Sequence, residues 1–79
     1  MTWQVQWSHP ARAVLRAIPW RDATRIDAAV QRLATKHEGD IVRVKDHPTI
    51  ARLRITPYVV YLNFDRFNGV LGVWYIYRA

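Results

Sequence analysis

Apolar and polar residues alternate over the first residues of the chain, which predicts a β-strand there. Within residues 2–7 the apolar positions are Trp3, Val5 and Trp7. A period of two places these side chains on one side of a strand and the intervening Thr and Gln side chains on the other. Ser8 follows as a favourable helix N-cap, and Pro10 suits the first turn of a helix. The chain is therefore predicted to begin with a half-buried strand that leads directly into a helix.

Two amphipathic helices are predicted next, because the apolar spacing changes to three and four residues. The apolar face of the first helix, which Pro19 ends, consists of Ala11, Val14, Leu15 and Ile18. The second helix is predicted to begin at Asp22 as its N-cap, to run to about Lys36 and to stop at Gly39. Its apolar stripe consists of Ile26, Ala29, Val30 and Leu33. The short link between the two helices predicts a helical hairpin.

Beyond Gly39 the period returns to two, which predicts three or four strands. The strand positions expected to face the core are Val42, Val44, Ala51, Leu53, Ile55, Tyr58, Val60, Leu62 and Phe64. Turn signals at residues 46–48, 56–57 and 68–69 separate the strands, and residues 70–77 are apolar enough for an inner strand. The predicted fold is α+β: an N-terminal strand, a two-helix hairpin and an antiparallel sheet of three to four strands, with both helices on one face. Residues 1–79 are predicted to form a single domain.

The charge balance favours a polyanionic partner. Twelve Lys and Arg residues against six Asp and Glu residues give a net charge of +6. Such a balance is typical of proteins that bind RNA, DNA or an acidic protein, although a basic surface can also serve solubility alone. The chain has no cysteine, which excludes disulfides and cysteine-based metal sites and agrees with a reducing compartment. No apolar run has the length or the flanks of a membrane span or a signal peptide, so we expect a cytoplasmic protein without membrane contact.

The strand alternation also sorts the charged residues by face. The apolar residues Ala51, Leu53 and Ile55 of the third predicted strand are expected to face the helices. Arg52 and Arg54, which alternate with them, then project from the opposite, open face of the sheet. The predicted RNA-binding residues of that face are Arg43, Lys45, His47 and Tyr61. A basic sheet edged by aromatic residues is a suitable surface for RNA. The alternative is that these are ordinary solvated side chains, with Lys and Arg protecting the sheet edges from other strands.

No other pattern in the chain indicates a chemical site. The spacing of His9, His37 and His47 matches no metal-ligand motif, and no cofactor is predicted. There is no glycine-rich phosphate loop, no paired carboxylate and no Ser-His-Asp arrangement. The tryptophans expected in the core are Trp3, Trp7 and Trp74. Trp20, between the helices, is either a packing residue or part of a surface that binds a partner.

Four tracts of the chain together are similar to a known family. Residues 3–11 form a short strand followed by an alanine-containing helix, and residues 26–34 form an amphipathic second helix. Residues 52–61, RLRITPYVVY, are similar to a hairpin with the pattern R-L-R-x-G-x-Y-R-V-x-Y, and residues 70–78 are similar to a closing strand that ends near an arginine. In this order, over almost its whole length, the chain resembles the RelE/ParE superfamily of bacterial toxin–antitoxin systems, whose fold packs two helices on an antiparallel sheet.

The resemblance implies a toxin with one of two targets. RelE-like members are interferases that cut mRNA on the ribosome, whereas ParE-like members poison DNA gyrase, and both are neutralised by a cognate antitoxin. RelE-like cleavage uses a 2′-OH to attack the adjacent phosphate, assisted by Lys, Arg and Tyr side chains. The residues that match those catalytic positions are Arg52, Arg54, Tyr77 and Arg78, with Lys45 a looser match.

Three departures from the family pattern bear on activity. Val59 stands where the family hairpin has an arginine, Thr56-Pro57 replaces its glycine-containing turn, and the chain stops at Ala79 without the tail that often carries a catalytic Tyr or His. The leading prediction is a RelE-like, ribosome-dependent mRNA interferase. The alternatives are a ParE-like inhibitor of DNA gyrase and a non-toxic nucleic-acid-binding domain of the same fold.

Overall fold

A computed structural model describes residues 2–79 as two helices and a five-stranded sheet. The elements are β1 (Gln4–Trp7), α1 (His9–Ala17), α2 (Trp20–Lys36), β2 (Ile41–Arg43), β3 (Ile50–Ile55), β4 (Tyr58–Asp65) and β5 (Val70–Arg78). The order of strands across the sheet is β1-β5-β4-β3-β2. The predicted α+β fold and order of elements are confirmed, and β5 is an inner strand as predicted. None of the helices in residues 2–79 is long and apolar enough to cross a membrane.

The sheet is mixed, where the sequence predicted an antiparallel one. The hairpin-connected strands β2 to β5 pair antiparallel, but β1 pairs parallel to β5, with Val5 opposite Leu71. A short hairpin loop forces its two strands to run antiparallel. No such loop joins β1 to β5, which lie at opposite ends of the chain, so local pattern does not specify their relative direction.

The core lies between the helices and one face of this sheet. α1 packs on β5, and α2 packs on β1 and β3. The buried core residues are Ala11, Ile26, Val30, Leu33, Ala34, Ala51, Leu53, Tyr58, Val60, Leu62, Leu71, Val73 and Ile76. The alternation in β3 and β4 therefore has the predicted phase. Trp3 and Trp7 pack against this core from its edge and are partly buried.

Both ends of α2 differ from the prediction. The helix begins at Trp20, and the Asp22 carboxylate accepts a hydrogen bond from the Tyr58 hydroxyl at 2.7 Å instead of capping the helix. That bond is the main reason why the pKa of Tyr58 is raised. His37, in the left-handed conformation with φ of 58°, ends the helix in place of Gly39. Space for a side chain at Gly39 is limited, since a Cβ there would lie 3.0 Å from the Leu53 Cδ1.

The predicted cap of α1 is confirmed and can be tested. The Ser8 hydroxyl accepts a hydrogen bond from the Ala11 amide at 3.1 Å. We expect Ser8→Ala to lower the free energy of unfolding by at least about 1 kcal/mol, because it leaves a helix N-terminal amide without its acceptor and the Trp74 carbonyl without the hydroxyl that donates to it. Urea denaturation measures the change, and Ser8→Thr, which keeps a hydroxyl, is the control. Equal midpoints for Ser8→Ala and the wild type would contradict the role of the cap.

Candidate functional site

The open face of the sheet is the face turned away from the helices, and strand register places side chains on it in two rows. Residues directly opposite each other in an antiparallel pair point to the same face. Arg52 is opposite Tyr61, which is opposite Tyr75. Arg54 is opposite Val59, which is opposite Tyr77. Arginines from β3 and tyrosines from β4 and β5 therefore share this face, as the sequence predicted for Arg52, Arg54 and Tyr61.

A shallow pocket of about 190 Å³ lies where these rows meet the edge strand β2. It is lined by Val42, Arg52, Arg54, Val59 and Tyr77. The valines give it apolar walls, and the guanidinium and phenol groups supply the polar ones. Next to it, the rings of Tyr61 and Tyr77 lie 5.6 Å apart between centroids with a tilt of 35°. The arrangement combines cations, a phenol and flat aromatic surfaces in one place.

The two arginines of the pocket differ in how they are held. Arg54 forms a bidentate ion pair with Asp40, with N–O distances of 2.9 and 3.2 Å, and its backbone amide donates to the Asp40 carbonyl at 2.9 Å. The hydrogen bond to this carboxylate is the main reason why the pKa of Arg54 is raised above its ordinary value. The Arg52 side chain has no hydrogen bond or ion pair within residues 2–79. Arg52 is therefore available to bind an external anion, while Arg54 is fixed in position.

Comparison with solved structures identifies this architecture. The chain superimposes with a TM-score of 0.82 on the archaeal RelE–RelB complex from Pyrococcus horikoshii OT3, at 15% identity over 99% of this chain and 96% of that one. For the toxin–antitoxin complex RelBE2 from Mycobacterium tuberculosis the TM-score is 0.79, at 15% identity over 100% and 93% of the two chains. For the RelB–RelE complex from Methanococcus jannaschii it is 0.73, at 13% identity over 91% and 87%. The chain has the fold of RelE toxins.

The identities of 13–15% mean that the likeness concerns the fold. The sequence itself matches no protein-family model, and none of the curated proteins compared with it matches at a significant level. The function of this RelE fold therefore has to be argued from the residues that the chain places on it.

On this RelE fold the predicted position of Arg43 is wrong. Arg43 lies opposite Ala51, whose side chain is buried under the helices, so Arg43 is on the helix side of the sheet. Its guanidinium donates to the Pro48 carbonyl at 2.8 Å. Val42, opposite Arg52, occupies the open face instead. The prediction failed because Ile41 and Val42 are both apolar, so the sequence of β2 allows either of them to face the core. Pairing with β3 places Val42 on the open face and Arg43 on the helix side.

Two further predicted residues, Lys45 and His47, follow the end of β2. Both are exposed in the turn region between β2 and β3, and neither lines the pocket. Their contribution to RNA binding remains a prediction. The turn adjoins the start of β3 and hence the edge of the open face.

Arg78 is separated from the other residues predicted to be catalytic. It pairs with Tyr58, a buried residue of the core face, and its charge lowers the pKa of that tyrosine slightly against the larger effect of Asp22. Arg78 therefore lies on the helix side of β5, while Tyr77 lies on the open face. The sequence placed Arg78 after the last strand, but β5 extends to include it. Adjacent strand residues point to opposite faces, so Tyr77 and Arg78 cannot both line the same pocket.

Sequence reasoning missed Asp40 and Trp74. Asp40, in the loop before β2, has no local pattern that would pair it with Arg54, 14 residues away. Trp74 was expected in the core, but 48% of its surface is exposed, because the register of β4 with β5 shifts beside it. Within residues 2–79 no group of His, Cys, Asp or Glu side chains could hold a metal ion.

Proposed function

We propose that this protein is the toxin of a type II toxin–antitoxin system and acts as a RelE-like mRNA interferase. The observation that carries the proposal is the open-face pocket, in which Arg52 has no protein partner and faces the same cavity as Arg54 and Tyr77. A polyanion is the natural ligand of such a pocket in a chain of net charge +6.

The chemistry we propose is attack of a 2′-OH on the adjacent phosphate. The 2′-OH loses its proton to solvent water, and the bond from phosphorus to the 5′ oxygen breaks as the new bond to the 2′ oxygen forms. Negative charge grows on the phosphoryl oxygens. Arg52 would stabilise that charge by donating two parallel hydrogen bonds to the phosphate. Arg54, whose Nε and Nη2 donate to Asp40, would add the donors that this ion pair leaves free. The Tyr77 phenol can donate a proton, and we propose that it protonates the leaving 5′ oxygen.

The RNA would extend from this pocket across the open face. Tyr61 would offer a ring for stacking, and Lys45 and His47 would contact the backbone where the chain leaves the edge of the sheet. Arg43 and Arg78 are not included in this surface, because both lie on the helix side. Val59 adds no charge, so Arg52 and Arg54 are the pocket's cations.

The partners follow from the same proposal. The three solved structures named above are a RelE–RelB complex, the toxin–antitoxin complex RelBE2 and a RelB–RelE antitoxin–toxin complex. We propose that this chain likewise binds a cognate antitoxin, whose acidic segments would match its positive charge. Its target would be mRNA on the ribosome in the cytoplasm, and the proposed chemistry requires no cofactor.

Induced expression without an antitoxin tests the function. We expect growth arrest together with cleavage of translated mRNA, detected by mapping new 5′ ends. The double variant Arg52→Ala with Arg54→Ala should leave mRNA intact, and Arg12→Ala, which removes an exposed arginine from α1, is the matched control. Growth arrest with intact mRNA would contradict the interferase. Unchanged growth would instead favour a non-toxic nucleic-acid-binding domain.

Trp20 favours a second candidate, ParE-like inhibition of DNA gyrase. The Trp20 side chain is 72% exposed at the junction of the helices, and the Arg21 guanidinium lies 5.4 Å from its ring centroid. Exposed tryptophan and arginine are the residues most enriched among protein-binding hot spots. Under this candidate, purified protein inhibits gyrase supercoiling, and Trp20→Ala abolishes the inhibition. Unaltered supercoiling at saturating protein would exclude it.

A further inference from the structure

A β-bulge at Trp74 turns an aromatic side chain of an inner strand onto the open face. Tyr75 pairs with Tyr61, but the next residue of β4, Leu62, pairs with Val73, so Trp74 has no partner of its own. An unpaired extra residue bends the strand and redirects its side chain, and such bulges are common beside functional sites. Trp74 is 48% exposed and the neighbouring Tyr75 is 46% exposed, and both lie just beyond the end of β1, whose last residue Trp7 pairs with Val73.

The bulge is held in place from the opposite side by Ser8. The Ser8 amide donates to the Val73 carbonyl at 2.9 Å, and its hydroxyl donates to the Trp74 carbonyl at 2.6 Å. The same hydroxyl caps α1 by accepting from Ala11. The backbone of Trp74 and of the residue before it is therefore hydrogen-bonded to the start of a helix, which holds the backbone that carries the exposed indole.

The Trp74 indole lies over Gly72. Gly72 pairs with Asn63 and Gln6, whose side chains lie on the open face, and it has no side chain of its own. A Cβ at Gly72 would be 3.5 Å from the indole Nε1, so Trp74 covers the space that this residue leaves free. Beside it is a pocket of about 220 Å³ whose lining residues include Gln6 and no Asp or Glu. The Gln6 side chain has no hydrogen-bond partner within residues 2–79.

We infer that Trp74 and Gln6 form a subsite for an unpaired nucleobase of single-stranded RNA. The inference rests on the proposed function, because it assigns a second position on the open face to the same ligand. An exposed indole stacks on any base, and an amide can both donate to and accept from a base edge. The lining contains no acidic group that would repel a phosphate backbone. Arg52, whose side chain has no protein partner, lies two strands away, about 10 Å across the sheet, and could bind a phosphate of the same RNA.

The subsite can be tested by RNA binding with a short, fluorescently labelled, single-stranded 2′-O-methyl oligonucleotide, which the protein cannot cleave. We expect Trp74→Ala to weaken binding by about 5- to 100-fold, the loss of one base–aromatic stack. Trp74→Phe should recover much of the affinity. Phe67→Ala, which removes an aromatic side chain that is 97% exposed at the tip of the β4–β5 hairpin, is the matched control and should bind as the wild type does.

Two further measurements separate stacking from charge and from misfolding. On oligonucleotides with one base removed at successive positions, the difference between the wild type and Trp74→Ala should vanish at one position. The salt dependence of binding should stay unchanged in Trp74→Ala, whereas Arg52→Ala should lower its slope by about 0.7. Thermal unfolding of each variant shows whether it is folded at the assay temperature.

The outcomes distinguish the subsite from the function. If the wild type binds and cleaves RNA and folded Trp74→Ala binds equally well, the subsite is overturned and the interferase stands. The same holds if the loss in Trp74→Ala persists on every base-deleted oligonucleotide. If the wild type cleaves mRNA on ribosomes but does not bind the free oligonucleotide, the subsite is contradicted and the proposed function is not. If the wild type neither binds the oligonucleotide nor cleaves mRNA on ribosomes, both proposals are contradicted.

Discussion

Arg52→Ala is expected to lower the rate of RNA cleavage by about 10²- to 10³-fold, the usual effect of removing one donor to a developing negative charge. Arg52 has no protein partner to replace and lines the pocket directly, so its loss removes a cation from the transition state without leaving a buried charge unpaired. Single-turnover cleavage of mRNA on programmed ribosomes measures the effect, because the chemical step is then observed apart from product release.

Two variants show whether the loss is specific to this guanidinium. Arg52→Lys keeps the charge but loses the planar pair of donors, and we expect it to recover only part of the rate. Arg12→Ala removes an equal charge from α1 on the other side of the molecule and should cleave as the wild type does. If Arg12→Ala and Arg52→Ala lost activity equally, the effect would come from net charge and the assignment of the pocket would be wrong.

Leu62→Ala is expected to lower the free energy of unfolding by about 2–5 kcal/mol, the range for a buried leucine whose removal leaves a cavity. Leu62 is fully buried on β4, the middle strand of the sheet, and it pairs with Ala51 and Val73 of the neighbouring strands. A 79-residue domain has about 4–12 kcal/mol of stability in total, so the variant should be partly unfolded or close to it. Urea denaturation followed by tryptophan fluorescence measures the change.

Phe67→Ala provides the comparison for Leu62→Ala. It removes a larger side chain, but one that is almost completely exposed, and the expected change in the free energy of unfolding is within about 0.5 kcal/mol. Equal destabilisation by the two substitutions would mean that the hairpin tip, and not the sheet centre alone, carries part of the core.

Predictions of side-chain position from the sequence were most accurate for strands with one buried face and one exposed face. In β3 and in β4 every second residue is apolar, and a shift by one residue would carry Arg52 and Arg54 into the core. The faces of Arg52 and Tyr61 could therefore be assigned from pattern alone. The helix cap at Ser8 could also be predicted from the sequence, because the Ser8 hydroxyl and the Ala11 amide that donates to it are only three residues apart.

The prediction failed where a residue's position depends on a partner far along the chain. β2 has only three residues and begins with two apolar ones, so pairing with β3 decided that Val42, and not Arg43, joins the pocket. Asp22 bonds to Tyr58 across 36 positions in the sequence, and this contact replaces its predicted role as a cap. Nothing local to either residue indicates these contacts.

The residues of the pocket were determined partly by local sequence pattern and partly by long-range strand pairing. Periodicity determined which face of β3 carries Arg52 and Arg54, because burial of the neighbouring apolar residues leaves no other choice. Strand register alone decided that Tyr77 belongs with them and Arg78 does not, and a bulge in that register brought Trp74 to the surface. Register is set by hydrogen bonds between strands and by packing against the helices, which are properties of the assembled sheet and not of any one segment.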